Sequence, residues 1–151
     1  MNTDITTVRA FSWRAVGFWL VLAMALLQMF YSIYAFTSPV EFASYRGSRL
    51  TPGGDTEWVR IYASRTLFVS MMLGLLLLFQ EVPVLKWISL LGIVMPLSDA
   101  ALAYQNAAPI SIISRHLATV VYLLVTFAVL TYWLKRNAQP PNKSLERTRD
   151  R

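Results

Sequence analysis

The chain has 151 residues, of which 56% are hydrophobic and 15% are charged, whereas about 25% of the residues are charged in an ordinary soluble domain. The apolar residues occur in long blocks, which is typical of membrane-spanning segments. With no cysteine and a single histidine, the chain cannot form disulfides, Cys-ligated iron–sulfur clusters or Cys-based zinc sites. The composition therefore predicts an all-α integral membrane protein, for which we expect no cofactor and no metal.

The first predicted span follows Arg14. Residues 15–40 form an uncharged run of 26 positions, and about 20 apolar residues are enough to cross the hydrocarbon as a helix. This run exceeds the roughly 7 to 15 apolar residues of a secretory signal. We therefore expect a retained signal anchor, with a helix over about residues 14–36. The polar connection that follows has a more apolar part, residues 40–45, which we expect to lie along the membrane interface.

The second span is predicted at about residues 58–80. Only residues 66–80 are free of charge, and 15 residues are too few to cross a bilayer, which needs about 20. The helix must therefore begin earlier and carry Arg60 and Arg65 toward the membrane.

The third and fourth spans are predicted at about residues 86–105 and 112–134. The third contains Pro96, a helix breaker, and Asp99, a charge at membrane depth. Both residues are unfavourable in a membrane helix, so each indicates a structural or functional role. Pro96 should kink this helix and free the carbonyl near Gly92. The fourth has Arg115 and His116 in its first turn.

The whole is predicted as one four-span domain over residues 1–136, a four-helix transmembrane bundle with a disordered tail over residues 137–151. Four spans place both termini on one side of the membrane. Nine of the fourteen basic residues belong to that side, which favours cytoplasmic termini in a bacterial inner membrane. The same distribution indicates contact with anionic lipid and argues against nucleic acid.

One polar cluster is predicted in the outer half of the bundle. Following the spans up and down brings Arg65, Asp99 and His116 to one depth, where three helices converge. An ionised Asp99 should not face lipid, because such a charge costs on the order of 3 kcal/mol there. We therefore expect Asp99 to face the bundle interior and to pair with Arg65. The pair could fix helix packing or bind a ligand, and the sequence leaves both readings open.

Four further residues are secondary candidates. Arg60 and Arg115 are most simply interfacial side chains that reach the headgroups. Gln28 and Tyr31 belong to a stripe on the first span that we expect to face the interior of the bundle. His116 is more often a structural residue than a proton carrier at such a position.

The segment Met95-Pro96-Leu97-Ser98-Asp99-Ala100, the Arg65-Thr66-Leu67 segment of the second span and His116 at the start of the fourth resemble domain-of-unknown-function family 4267. Its members are small four-span bacterial membrane proteins, distantly similar to DoxX-like proteins. The resemblance covers roughly residues 15–134. It implies the fold and the Arg, Asp and His positions, and it assigns no reaction. Thr66 departs from the acidic residue expected after the Arg.

The sequence favours a non-enzymatic binding or accessory membrane protein with a polar pocket formed by Arg65, Asp99 and His116. No catalytic triad, carboxylate dyad or metal cluster can be assembled from its residues. Two alternatives stay open: a quinone-linked redox accessory protein with a slot beside His116 and Tyr31, and a small proton-coupled transporter with Asp99 and His116 as its relay. The lipid bilayer is the expected partner. A lipid or quinone ligand and a homo-oligomeric state are also left open.

Overall fold

The computed structural model describes residues 11, 15–48, 50 and 56–137. These residues form six α-helices and no strand, which confirms the all-α prediction. The helices are α1 (Val16–Thr37), α2 (Pro39–Tyr45), α3 (Thr56–Leu78), α4 (Val82–Leu91), α5 (Val94–Gln105) and α6 (Ile110–Asn137). The predicted tail, apart from Asn137, lies outside the described residues.

Four helical stretches are long and apolar enough to cross a membrane. They are α1, α3, α6 and the continuous stretch Val82–Gln105, which contains α4 and α5. Each agrees with a predicted span to within a few residues at either end. The four-helix transmembrane fold is therefore confirmed.

The third span is interrupted between α4 and α5, at Gly92 and Ile93. Pro96 has no N–H group to offer the Gly92 carbonyl, which lies four residues earlier. The N–H of Met95 donates to that carbonyl instead, at 3.2 Å. The helix thus tightens locally where it is interrupted, close to the position that Pro96 predicts.

Small residues bring α1 and α3 close together. The Ser32 hydroxyl donates to the Ala63 carbonyl at 2.9 Å, and the Ser70 hydroxyl donates to the Ala25 carbonyl at 2.8 Å. Ala63 is fully buried in this seam. In a membrane, close packing of small side chains and interhelical hydrogen bonds are the main causes of helix association. Apolar side chains add little, because they are as stable in contact with lipid as in contact with another helix.

The remaining spans form a second unit, in which α4 and α5 both pack on α6. Near the chain termini the two units are held together by contacts such as Phe11 against Trp133, with ring centroids 4.9 Å apart. There a Cβ added to Gly17 would lie 2.8 Å from a terminal methyl of the Leu130 side chain, so glycine favours this close approach of α1 to α6. At the opposite end of the bundle, α2 lies between the two units.

The short helix α2 has clear start and stop signals. Pro39 occupies its first turn, where a missing N–H costs nothing, and Phe42 and Ala43 are buried. At its end the N–H of Ser48 donates to the Ala43 carbonyl at 2.9 Å, and Gly47 has φ +84°. This is a Schellman ending, which favours glycine at the left-handed position. The expected interfacial segment is thus a helix that packs against α1 and α3.

Candidate functional site

Arg46 and Asp99 form the one salt bridge among the residues that the structure describes. Arg46 follows the last residue of α2, and its Nη2 atom donates to Oδ2 of Asp99 on α5. The two side chains are 17% and 29% exposed. The pair therefore lies at the edge of the bundle interior and joins α2 to the second helical unit.

Aromatic rings surround the Arg46 guanidinium. Its central carbon lies 5.4 Å from the ring centroid of Tyr31 and 5.9 Å from that of Tyr62. These distances allow cation–π attraction, which is stronger where water is excluded. The two rings belong to an aromatic cluster whose neighbouring centroids are 5.6–6.3 Å apart; its members are Tyr31, Tyr34, Phe42, Tyr45 and Tyr62.

His116 holds the same segment from the fourth span. Its side chain is buried, and Nε2 lies 3.3 Å from the carbonyl oxygen of Arg46. A carbonyl only accepts, so Nε2 carries the hydrogen in this bond. His116 therefore positions the backbone of Arg46, whereas Asp99 positions its side chain.

Arg115 contributes a weaker contact beside this site. It is exposed, and its guanidinium carbon lies 4.8 Å from the ring centroid of Tyr45. Its Nε donates to the Ser111 carbonyl at 3.3 Å. Arg115 thus covers the outer face of the aromatic cluster.

A pocket of about 330 Å³ opens beside the ion pair. Aromatic and small residues of the α2 and α3 segments form most of its wall, and Asp99 closes it from α5. The lining residues are Phe42, Ala43, Arg46, Ser48, Leu50, Trp58, Val59, Tyr62 and Asp99. Charged and aromatic groups are therefore presented together to a small molecule.

The predicted pairing of Asp99 with Arg65 is wrong. Arg65 is exposed on α3, whereas its neighbours Ala63 and Thr66 are buried. The helix therefore turns Arg65 outward while α2 brings Arg46 to the carboxylate. Asp99 and His116 do belong to one site, but through Arg46.

The secondary candidate residues do not lie together in one site. Arg60 is exposed on α3 and takes no part in the site. Tyr31 lies against Arg46, and Gln28 lies on α1 in the wall of a separate interior cavity. In the described part of the chain, no group of three His, Asp or Glu residues is placed to hold a metal ion.

Sequence reasoning missed Arg46 because it lies in what looked like a connection. The sequence does contain signals of a short helix. Pro39 stands at its start, Phe42 and Ala43 are apolar residues that can be buried, and Gly47 lies just beyond its end. This pattern is typical of a short capped helix. A helix there ends next to Arg46.

The fold and composition define a multi-pass α-helical membrane protein with four apolar spans. The family model described as Domain of unknown function (DUF4267) matches residues 25–130, so the chain belongs to that family, as its resemblance implied. The match includes α2, Asp99 and His116. A search of curated proteins and a search of solved structures each found no match.

Proposed function

We propose that this protein is a non-enzymatic binding or accessory protein of a bacterial inner membrane, and that the pocket beside Arg46 and Asp99 receives the polar head of a membrane lipid. The observation that carries the proposal is the position of the ion pair in the pocket wall. A guanidinium has five N–H donors, and Asp99 takes one of them.

The pair suits a zwitterionic head. The free N–H groups of Arg46 can donate to a phosphate, and the second carboxylate oxygen of Asp99 can accept from an ammonium group. Asp99 lies six residues before the end of α5, which is about 9 Å along the helix axis. A head bound there stays close to the level of the lipid headgroups, with its chains in the bilayer.

Both termini are proposed to lie in the cytoplasm, because nine basic residues belong to their side and five to the other. A reporter that is active only in the periplasm, fused after Arg151, tests this orientation. It should be inactive there, and activity would reverse the assignment.

The two alternatives draw less support from the described residues. A quinone slot between His116 and Tyr31 competes with Arg46, which both residues contact. A proton relay would use Asp99 and His116, each of which is already bonded to Arg46. Neither alternative has an observation of its own in its favour.

Lipid retention tests the proposal. The full chain is reconstituted in vesicles of equal parts phosphatidylethanolamine and phosphatidylglycerol, extracted, and examined by native mass spectrometry. We expect bound phosphatidylethanolamine, and at least about a tenfold weaker retention, equivalent to about 1.4 kcal/mol, in the neutral variant Arg46→Gln with Asp99→Asn.

The matched control replaces two exposed charges of α3, Arg60→Gln with Arg65→Gln, and should retain lipid like the wild type. Equal retention by the wild type and the Arg46/Asp99 variant would overturn the proposal.

A further inference from the structure

A second cavity, separate from the ion pair, lies inside the bundle where the third span is interrupted. Its volume is about 290 Å³. Each helical unit contributes apolar walls, for example Met24 of α1, Met72 of α3 and Leu123 of α6. Since an apolar cavity of about 150 Å³ is enough to bind benzene, this one has room for a larger apolar group.

Most polar groups of the cavity wall are already used. The hydroxyls of Ser89, Thr119 and Thr126 each donate to the carbonyl four residues earlier in their own helix, at 2.9–3.0 Å. The Tyr122 hydroxyl donates to the Leu20 carbonyl at 2.5 Å. Each of these hydroxyl hydrogens is already engaged in a hydrogen bond within the protein, so none of these groups offers a donor to a ligand.

Gln28 differs from them. Among the described residues, its side-chain amide has no hydrogen-bond partner. Every fully buried side-chain nitrogen or oxygen in this part of the chain does have a partner, so the Gln28 amide is not one of the fully buried groups. Gln28 lines the cavity, and its amide has two N–H donors and one acceptor. An amide without a hydrogen-bond partner is unfavourable in hydrocarbon. A ligand with a polar group that can hydrogen-bond to the amide would remove this cost.

The depth of Gln28 narrows the choice of ligand. It lies 12 residues after Val16 and 9 before Thr37 on α1, about 18 Å and 14 Å along the axis. Gln28 is therefore near the middle of the span. The ester groups of a phospholipid lie about 15 Å away, at the edge of the hydrocarbon, so the matching group belongs to a molecule that dissolves in the bilayer core.

The cavity also has a side entrance. Leu91 and Met95, on either side of the interruption, line it and are 69% and 50% exposed. Here α4 packs against both α3 and α6, whereas α5 packs mainly against α6. The third span thus leaves α3 at Gly92 and opens a cleft toward the lipid.

We propose that this cavity binds a neutral, lipid-soluble molecule that carries a carbonyl group, and that the Gln28 amide donates to that carbonyl. The site is independent of the Arg46–Asp99 pocket. Its ligand enters sideways from the bilayer core through the cleft at Gly92.

Benzophenone is a suitable probe, because it is apolar, carries one carbonyl and on irradiation attaches to nearby methionine side chains. The full chain is placed in vesicles of ether-linked phosphatidylcholine, which has no ester carbonyl. We expect saturable labelling of Met24 and Met72. Met71 of α3 is exposed and does not line the cavity, so its labelling should rise linearly with benzophenone concentration.

The amide is tested by Gln28→Leu, which should raise the half-saturating concentration about fivefold, the equivalent of one hydrogen bond. Ser89→Phe fills the cavity and should abolish the saturable labelling. Ser98→Phe is its matched control, since Ser98 is an exposed serine of the same span whose hydroxyl makes the same bond four residues back.

Competition on the wild-type chain gives a test that does not depend on variants. At equal membrane concentration, 1-tetralone should displace benzophenone about fivefold better than tetralin, which has the same rings and lacks the carbonyl. Linear labelling of Met24 and Met72 would overturn the cavity as a binding site. Equal competition by the two compounds would overturn the role of the carbonyl.

Discussion

Arg46 and Asp99 lie 53 positions apart in the chain, and their ion pair closes the bundle at the end away from the termini. Arg46 is carried by the unit of α1, α2 and α3, whereas Asp99 is carried by the unit of α5 and α6. His116 supports the same residue through its backbone carbonyl. Arg46, directly after a short helix, thus connects the two units at this end of the bundle.

Removing one partner of this pair should destabilise the protein. Fully buried pairs lose about 3–5 kcal/mol on such a change and exposed pairs at most about 1 kcal/mol. Because this pair is partly exposed, we expect about 2 kcal/mol for Asp99→Ala in the free energy of unfolding in detergent. Arg46→Leu with Asp99→Leu should recover much of the loss, and the exposed Arg65→Leu should change stability by less than about 0.5 kcal/mol. Wild-type stability of Asp99→Ala would show that the pair contributes nothing.

His116 should be needed as a hydrogen-bond donor. His116→Leu leaves the Arg46 carbonyl without its partner, and we expect a loss of about 1 kcal/mol. His116→Gln keeps an N–H donor and should lose less. The measurement is the denaturant midpoint of the full chain, and an equal loss in the two variants would mean that the imidazole acts through packing alone.

Gly47 should not tolerate a side chain. Its φ is +84°, and an added Cβ would lie 3.1–3.2 Å from side-chain carbons of Ile112, Ala103 and Ala108. Gly47→Ala combines a left-handed backbone cost of about 1–2 kcal/mol with a close contact. We expect a lower melting temperature and weaker lipid retention, since Arg46 precedes this residue. A melting temperature equal to that of the wild type would contradict the Schellman ending of α2.

Ala107 offers the opposite change. It has φ +49° at the end of α5, where the N–H of Ala108 donates to the Ala103 carbonyl at 2.9 Å. Glycine adopts this conformation without a steric cost. Ala107→Gly should therefore stabilise the protein by about 0.5–1 kcal/mol, measured as a rise in melting temperature. Destabilisation by this variant would argue against the left-handed conformation.

A larger side chain in the seam between α1 and α3 should destabilise the protein. Ala63 is fully buried, and its carbonyl accepts from Ser32. Ala63→Leu forces the helices apart, and overpacking of this kind costs about 1–3 kcal/mol. Ala101→Leu, at an exposed alanine of α5, is the control and should be close to neutral. The comparison is made by unfolding in detergent, and similar values for both would show that the seam is loosely packed.

The number and position of the spans could be predicted from the sequence because they depend on local properties. A helix in hydrocarbon satisfies its own backbone hydrogen bonds, so a long apolar run is enough to define it. The interruption near Gly92 was also predictable, since Pro96 lacks the N–H that a regular helix needs there. Asp99 and His116 stood out for a similar reason, as polar groups within apolar runs.

The partner of Asp99 was decided only by the tertiary structure. Arg46 and Arg65 carry the same charge. The helix signals around Arg46 predict α2 but not its direction, so they do not identify Arg46 as the partner of a carboxylate on another span. The choice depends on the direction in which α2 leaves α1, which is set by burial of Phe42 and by the close approach of Gly47 to Ala103 and Ile112. These contacts join residues far apart in the chain, and their geometry exists only when all the helices are packed.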